Sequence, residues 1–463
     1  FIGYVLLKKP VYEAFAGFIK ATVGYMILNV GSNGLTNNFR PILAGLNERF
    51  QLSAAVIDPY YGQVADKALT EAAGRSLSLA MSILILGFFI NILLVALKKV
   101  TKIRSLMITG HTMVGQCYAA LWIVLLTMPF LSDLEVIIFG GILMGVFWGV
   151  ATNLTVEPTQ DLTDGAGFCI GHNQCFGIWT AYKFGKLVKS NAQKDGKEVH
   201  QIDKIKFPGF LKIFDDNVVA TGVIMMLFFG VIIAILGKDM MLELDSSFSA
   251  SQNFVFYIIE KSLNFSVYMS VLLLGVRMFV AELAESFHGI SEKLLPGVVP
   301  GIDCAGVFGF APPSAMTFGF LCGVAGQFLA ILGLLVFKSP VLIITGFVPV
   351  FFDNAAMACY ANKRGGVKAA AILTFCTGII QVLGGAFCAW FYGQYQFGGA
   401  RGNFDWVTVW PVFTVIMKYG KYIGLAAVIL ILLAIPQLQY RKNKETYFKV
   451  TTHWEEVKKA YDK

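Results

Sequence analysis

Apolar residues run in blocks of about 20, the length that crosses a bilayer, parted by short polar joints. The blocks lie near 11–31, 76–97, 105–128, 136–156, 217–237, 254–276, 316–337, 340–360, 369–392 and 419–436. The opening run from Phe1 to Leu7, closed by Lys8 and Lys9, is expected to be the end of one further span that begins before Phe1. The pattern predicts an all-α integral membrane protein of about eleven transmembrane helices, the first truncated, within a single domain over 1–463.

Three segments break the pattern. Residues 37–75, 157–182 and 278–315 mix Gly, Pro and single charges with apolar runs, as in Leu295-Pro-Gly-Val-Val-Pro-Gly-Ile-Asp303-Cys-Ala-Gly. Backbone that leaves the helix at membrane depth must find its polar partners in protein or in a water-filled cavity. These segments are therefore expected to be re-entrant hairpins or interfacial helices lining a site. The stretch Arg277–Phe287 has helical spacing and is expected either to lie along the cytoplasmic interface or to continue the preceding helix.

Composition narrows the class. Apolar residues make up 56% of the chain and charged ones 14%, against about 25% charged in a typical soluble domain. The 40 Phe and 47 Gly suit lipid-facing and close-packed helix surfaces respectively. A net charge of +8 does not mark a nucleic-acid binder here, because the basic residues are scattered. They collect at Lys8/Lys9, at Lys98, Lys99, Lys102 and Arg104, along the loop 183–212, at Lys363/Arg364 and in the tail 440–463, whereas 131–135 and 239–252 carry only acidic charge. Basic joints favour the cytoplasm, and alternation through the spans puts every one of them on the same side, with a cytoplasmic C-terminus. The eight cysteines lie almost wholly in apolar stretches without a Cys-x-x-Cys, so neither a disulfide framework nor a zinc site is expected.

Two short strings recur in the same order. Ile57-Asp58 answers to Ile302-Asp303, and Leu106-Met-Ile-Thr-Gly110 answers to Leu342-Ile-Ile-Thr-Gly346. In the expected topology Asp58 precedes an inward span and Asp303 an outward one. That predicts an inverted repeat of about 1–160 and 217–392, with substrate held at the broken segments.

Ionisable groups inside a membrane are costly and mark candidate sites. Gly110-His111 and Gly171-His172 pair an imidazole with a residue that lets backbone approach a ligand closely. Asp303, with no basic neighbour in sequence, either accepts hydrogen bonds from substrate hydroxyls or caps a half-helix. Asp58 and Asp353 offer the same choice and lean towards capping. Tyr60, Gln116, Asn173 and Gln174 add donors and acceptors, so the set suits a small polyhydroxylated molecule. No Gly-x-Gly-Asp, Gly-x-Ser-x-Gly, phosphate-binding loop or His-Glu-x-x-His occurs. No catalytic residue, metal or cofactor is expected, and energy must come from an ion gradient or a partner protein.

Longer strings carry a resemblance. Thr163-Asp-Gly-Ala-Gly-Phe-Cys-Ile-Gly-His172-Asn-Gln-Cys-Phe-Gly-Ile-Trp-Thr-Ala-Tyr-Lys183, Gly275-Val-Arg-Met-Phe-Val-Ala-Glu-Leu, Ile302-Asp-Cys-Ala and Gly346-Phe-Val-Pro-Val-Phe-Phe-Asp-Asn-Ala355 closely resemble the ascorbate-type enzyme IIC of the bacterial phosphotransferase system. The resemblance runs over nearly the whole chain. It implies a homodimeric inner-membrane permease in which a substrate-carrying core moves against a dimerising scaffold, as an elevator. L-Ascorbate would be taken up and phosphorylated by a separate enzyme IIB charged by enzyme IIA, with the loop 183–212 a possible dock. Carried over by position, substrate contacts fall on Tyr60, His111, His172 and Asp303, and less directly on Ser32. Three neighbours depart from the family pattern: Pro59 stands for Thr, Gly115 for Gln and Asn173 for Gln. Gln116 replaces the amide missing at 115 only with a shifted helix register. A related sugar acid or sugar therefore stays open beside ascorbate. The reading from another class is an ion-coupled carrier or facilitator of a small organic acid.

Overall fold

The computed structural model describes residues 2–50, 54–202, 217–293, 295, 297–346 and 348–462. Its helices are α1 (Ile2–Leu6), α2 (Val11–Phe50), α3 (Pro59–Ala72), α4 (Ser78–Ala96), α5 (Lys98–Thr101), α6 (Gly110–Thr127), α7 (Asp133–Thr163), α8 (Cys175–Lys194), α9 (Asn217–Leu236), α10 (Lys238–Leu244), α11 (Phe254–Lys293), α12 (Pro313–Val336), α13 (Asn354–Phe391), α14 (Phe404–Lys442), α15 (Lys449–Thr452) and α16 (Trp454–Asp462). Six short strands interrupt them: β1 (Ala54–Ile57), β2 (Ser105–Met107), β3 (Cys169–Ile170), β4 (Val299–Ile302), β5 (Leu342–Thr345) and β6 (Gly399–Ala400).

Among the described residues, five helical segments are long and apolar enough to cross a membrane: Ser78–Ala96, Asp133–Thr163, Ser314–Val336, Val348–Phe391 and Phe404–Lys442. Their packing is that of a protein in lipid. On α4 the buried side is Leu79, Ala80, Ile83, Gly87, Asn91 and Val95, while the outward Ile85 and Phe89 are 73% and 63% exposed. A soluble helix would turn charge outward there; this one is apolar all round. On α7 the buried Gly141 and Gly145 let α4 approach closely, with Leu86 and Ile90 seated over them.

The strands form two three-stranded parallel sheets, ordered β5-β1-β6 and β2-β4-β3. Side chains satisfy the edges of the second, as non-helical backbone inside a membrane protein requires. Asn153 Oδ1 accepts from Arg104 N at 3.0 Å, Asn91 Oδ1 from Met107 N at 3.1 Å and Thr155 Oγ1 from Ile170 N at 3.0 Å. Pro300 sits in the central strand without loss, because pairing with β3 begins only at Gly301. Gly301 itself must be glycine, since a Cβ would lie 2.7 Å from Thr152 Cγ2.

Several boundaries differ from expectation. The block 340–360 opens with β5 and a π-helical turn (Val348–Asp353) before α13 begins, and α13 itself is two helices joined at a break near the expected joint with block 369–392. The break is at Gly366, whose φ of +64° suits glycine and whose missing Cβ would lie 2.2 Å from the His200 carbonyl. At that joint Arg364 is buried in an ion pair with Asp161 of α7. The block 105–128 opens with β2 before α6 begins. The first block runs on as α2 to Phe50, through Pro41, so the break expected from 37 comes only with β1. Arg277–Phe287 continues the helix, as part of α11. Of the loop 183–212, residues 203–212 lie outside the described residues.

Apart from Lys8/Lys9, the basic joints are linked in space. Arg104 donates to the Tyr447 carbonyl, Gln201 to the Lys363 carbonyl at 3.1 Å, and Lys458 meets Asp164 at 2.6 Å. The Trp454 ring covers Gly165, and its Nε1 donates to Asp164 at 3.0 Å. Hydrogen bonds from Lys458 and then Trp454 hold the Asp164 carboxyl below its usual range. A depressed carboxyl favours docking above the ordinary carboxylate pKa and loses that contribution as pH falls through its folded value. Asp164→Asn is expected to speed amide exchange in 449–462 by about fivefold or less, since an exposed ion pair is worth up to about 1 kcal/mol. Trp454→Ala, which removes a buried ring, should exceed tenfold. Equal effects in hydrogen-exchange mass spectrometry would refute this ranking.

Candidate functional site

The parallel run of β2, β4 and β3 brings three C-terminal ends to one edge, and a site residue follows each. Asp303 comes directly after β4, His172 two residues after β3, and His111 four after β2, in the first turn of α6. Asp303 Oδ2 lies 3.3 Å from His111 Nε2 and 3.8 Å from His172 Nε2, and the two imidazoles stand 6.2 Å apart. The side of the site formed by His111 is open, with 44% of that side chain exposed against 7% for His172.

Asp303 performs both roles the sequence left open. Its Oδ1 accepts from Ala305 N at 2.9 Å, capping the short 3-10 turn Cys304–Val307, and its Oδ2 is turned to the histidines. His172 Nδ1 meets the amide oxygen of Gln174 at 2.6 Å. An amide oxygen only accepts, so the ring donates through Nδ1, and in the neutral ring Nε2 keeps a lone pair facing the Asp303 carboxylate. Two acceptors 3.8 Å apart call for a donor between them, such as a ligand hydroxyl. The same three atoms lie within 4.8 Å of one another and are the ligand types a metal ion would use.

Gln116 and Asn173 form the layer beneath. Gln116 Nε2 donates to Asn173 Oδ1 at 2.7 Å, Trp148 Nε1 donates to Gln116 Oε1 at 2.6 Å, and Trp406 Nε1 donates to Asn173 Oδ1 at 2.9 Å. Both ends of Gln116 are spent in this buried chain. On Asn173 the oxygen has two donors, and Nδ2 is the group left to meet a ligand. Tyr60 and Ser32 lie on α3 and α2, and their side chains fall outside the described residues. Asp353 caps: its Oδ2 accepts from Phe404 N at 2.7 Å at the start of α14. Asp58 accepts from Val348 N at 3.3 Å, tying β1 to the π-helical turn.

Sequence reasoning passed over a second set. Arg401, directly after β6, pairs with Asp66 of α3 at 2.8 Å, and its Nη2 donates to the Gly115 carbonyl of α6 at 2.7 Å. Asp405 accepts from Phe176 N at 3.0 Å and so caps α8 beside His172. The available signal was charge in an otherwise apolar or small-residue context, as in Val64-Ala-Asp66-Lys67-Ala-Leu and Gly399-Ala-Arg401-Gly.

Residues 1–405 match the family model EIIC-GAT, described as the sugar-specific permease component of the phosphotransferase system. The chain belongs to this family. It is similar to the ascorbate-specific phosphotransferase-system EIIC component of Mycoplasma pneumoniae (strain ATCC 29342 / M129 / Subtype 1), with 32% identity over 423 residues. That alignment takes in 82% of this EIIC-GAT chain and 62% of the relative, so the chain spans less than two thirds of the relative's length. The matched region contains His111, His172 and Asp303, together with both sheets that position them.

Proposed function

We propose that this EIIC-GAT chain is the membrane permease of a bacterial phosphotransferase system, binding L-ascorbate or a closely related sugar acid for phosphorylation by separate IIB and IIA subunits. The observation that carries the reading is the meeting of His111, His172 and Asp303 at one sheet edge in a chain of this family. An N–H of the exposed His111 imidazole suits the anionic oxygen of a sugar acid, and the Asp303 carboxylate with the His172 lone pair suits its hydroxyls. The ascorbate-specific relative supports that choice of substrate.

The chain acts as a homodimer of about eleven spans per subunit in the bacterial inner membrane, with the tail from 440 in the cytoplasm. An inverted repeat of about 1–160 and 217–392 builds the core. Two features favour it. Apart from the short α5 and the π-helical turn, the order β1, Asp58, α3, α4, β2, Gly110, α6 is matched by β4, Asp303, the 3-10 turn, α12, β5, Gly346, α13. The pairing crosses the halves, β1 with β5 and β2 with β4, as a pseudo-twofold exchange would require. A core so braced would travel as a rigid body, which suits an elevator.

The test uses vesicles holding the full chain with its IIB, IIA and the general phosphotransfer proteins, supplied with labelled ascorbate and phosphoenolpyruvate. Phosphorylated ascorbate should appear inside, and omission of IIB should abolish it. Accumulation of unmodified ascorbate that collapses with an ion gradient would instead establish the ion-coupled carrier. His111→Ala is expected to weaken ascorbate binding roughly 5- to 150-fold, the equivalent of about 1–3 kcal/mol for a lost hydrogen-bond partner, as read by calorimetry on purified protein.

A further inference from the structure

One turn after His111, on the same face of α6, stands Gly115. A Cβ at this position would lie 3.3 Å from Oε1 of Gln63 and 3.9 Å from Nη1 of Arg401. The amide of Gln63, reaching across from α3, thus occupies space that a larger residue at 115 would contest.

The contact is held from both sides. The Arg401 guanidinium joins Asp66, three residues after Gln63, to the Gly115 carbonyl, with distances of 2.8 and 2.7 Å. Lys67, four residues after Gln63, lies 4.5 Å from the centre of the Tyr118 ring. Pairing 63 with 115 and 67 with 118 means that α3 and α6 run side by side in the same direction. The start of α3 therefore lies beside the turn that carries His111. Residues one turn apart on one helix face have Cβ atoms about 5–6 Å apart, so a single small sugar ring can meet both His111 and the Gln63 amide.

Gln63 is half-buried, and its side chain has no hydrogen-bond partner among the described residues. Every other amide around the site is committed at least in part: Gln116 to Trp148 and Asn173, Asn173 to Trp406, and Gln174 to His172. Gln63 retains both a donor and an acceptor.

We propose that Gln63 is a specificity-determining residue whose amide hydrogen-bonds the ligand held by His111, His172 and Asp303, and that Gly115 leaves room for it. The proposal rests on the substrate site described above. A site that hydrogen-bonds a hydroxyl rejects the analogue lacking it far more strongly than an apolar pocket does. Selectivity among hydroxylated ligands is therefore the readout that a purely structural glutamine would not move.

The experiment measures binding of L-ascorbate, D-isoascorbate and 6-deoxy-L-ascorbate to the full-length protein and to Gln63→Met, Gln63→Ala, Gly115→Ala and His111→Ala, with thermal unfolding alongside. Gln63→Met keeps the bulk and removes the hydrogen bonds. It should weaken L-ascorbate at least tenfold at unchanged melting temperature and reduce its discrimination against at least one analogue. Gly115→Ala, whose Cβ presses on the Gln63 amide, should weaken binding several-fold in the parent and have no further effect on Gln63→Ala. Parent-like affinity and selectivity in Gln63→Met overturn the proposal, as does a uniform loss that follows a lowered melting temperature. If the parent binds no ascorbate, the ascorbate reading fails by itself, and Gln63 is judged by the same variants on whichever hydroxylated sugar or sugar acid the parent binds. If His111→Ala leaves binding intact, the site assignment fails and Gln63 with it.

Discussion

Asp303→Asn is expected to fold normally and to bind substrate at least thirtyfold more weakly. The argument separates the two oxygens of one carboxylate. Oδ1 accepts from Ala305 N and caps the 3-10 turn, a role asparagine fills about as well as aspartate. Oδ2 faces both imidazoles and carries the charge that would receive ligand hydroxyls. Truncating one partner of a buried charged hydrogen bond costs roughly 2–5 kcal/mol, or about 30- to several-thousand-fold in affinity. Asp303→Ala should lose that affinity and also the cap, worth about 0.5–2 kcal/mol of stability. Binding by Asp303→Asn within threefold of the parent, measured by calorimetry, would leave Asp303 as a cap alone.

The largest loss of stability is expected from breaking the pair of Asp66 and Arg401. Both side chains are almost fully enclosed, at 1% and 4% exposure, so removing one leaves the other charged and without its counter-ion. Such a change costs about 3–5 kcal/mol, whereas replacing both partners by apolar groups of similar volume is often neutral. Asp66→Ala and Arg401→Met should each lower the melting temperature sharply, and Asp66→Leu combined with Arg401→Met should recover most of the loss. Arg401 also donates to the Gly115 carbonyl, so its removal should loosen α3 from α6 and weaken ligand binding as well. A double variant as unstable as the two singles summed would show that the pair is not the source of the cost.

The expected boundaries failed in a regular way. A hydropathy window counts apolar residues without regard to backbone, so β2 and β5, each only a few residues long, disappear into blocks that read as spans. Lys363 and Arg364 marked a joint, and α13 does break beside them at Gly366, but the burial of Arg364 against Asp161, about two hundred positions earlier, is something no local window includes. Gly366, where α13 bends over the His200 carbonyl, gave no sign of itself among so many glycines.

His111, His172 and Asp303 stood out without coordinates because ionisable groups are scarce in an apolar chain and each sits beside a broken segment. Their types and flanking glycines were enough to propose a polar ligand. The membrane class followed from the same scarcity of charge. What only the tertiary structure decided was the use of each polar atom. It spent Gln116 on Trp148 and Asn173, turned Asp353 and Asp405 into caps, paired Asp66 with Arg401, and left Gln63 open beside Gly115. The physical reason is that burial is decided by charge and hydropathy, which are properties of a residue, whereas a hydrogen bond needs a second atom at a set distance, and here that atom comes from another part of the chain.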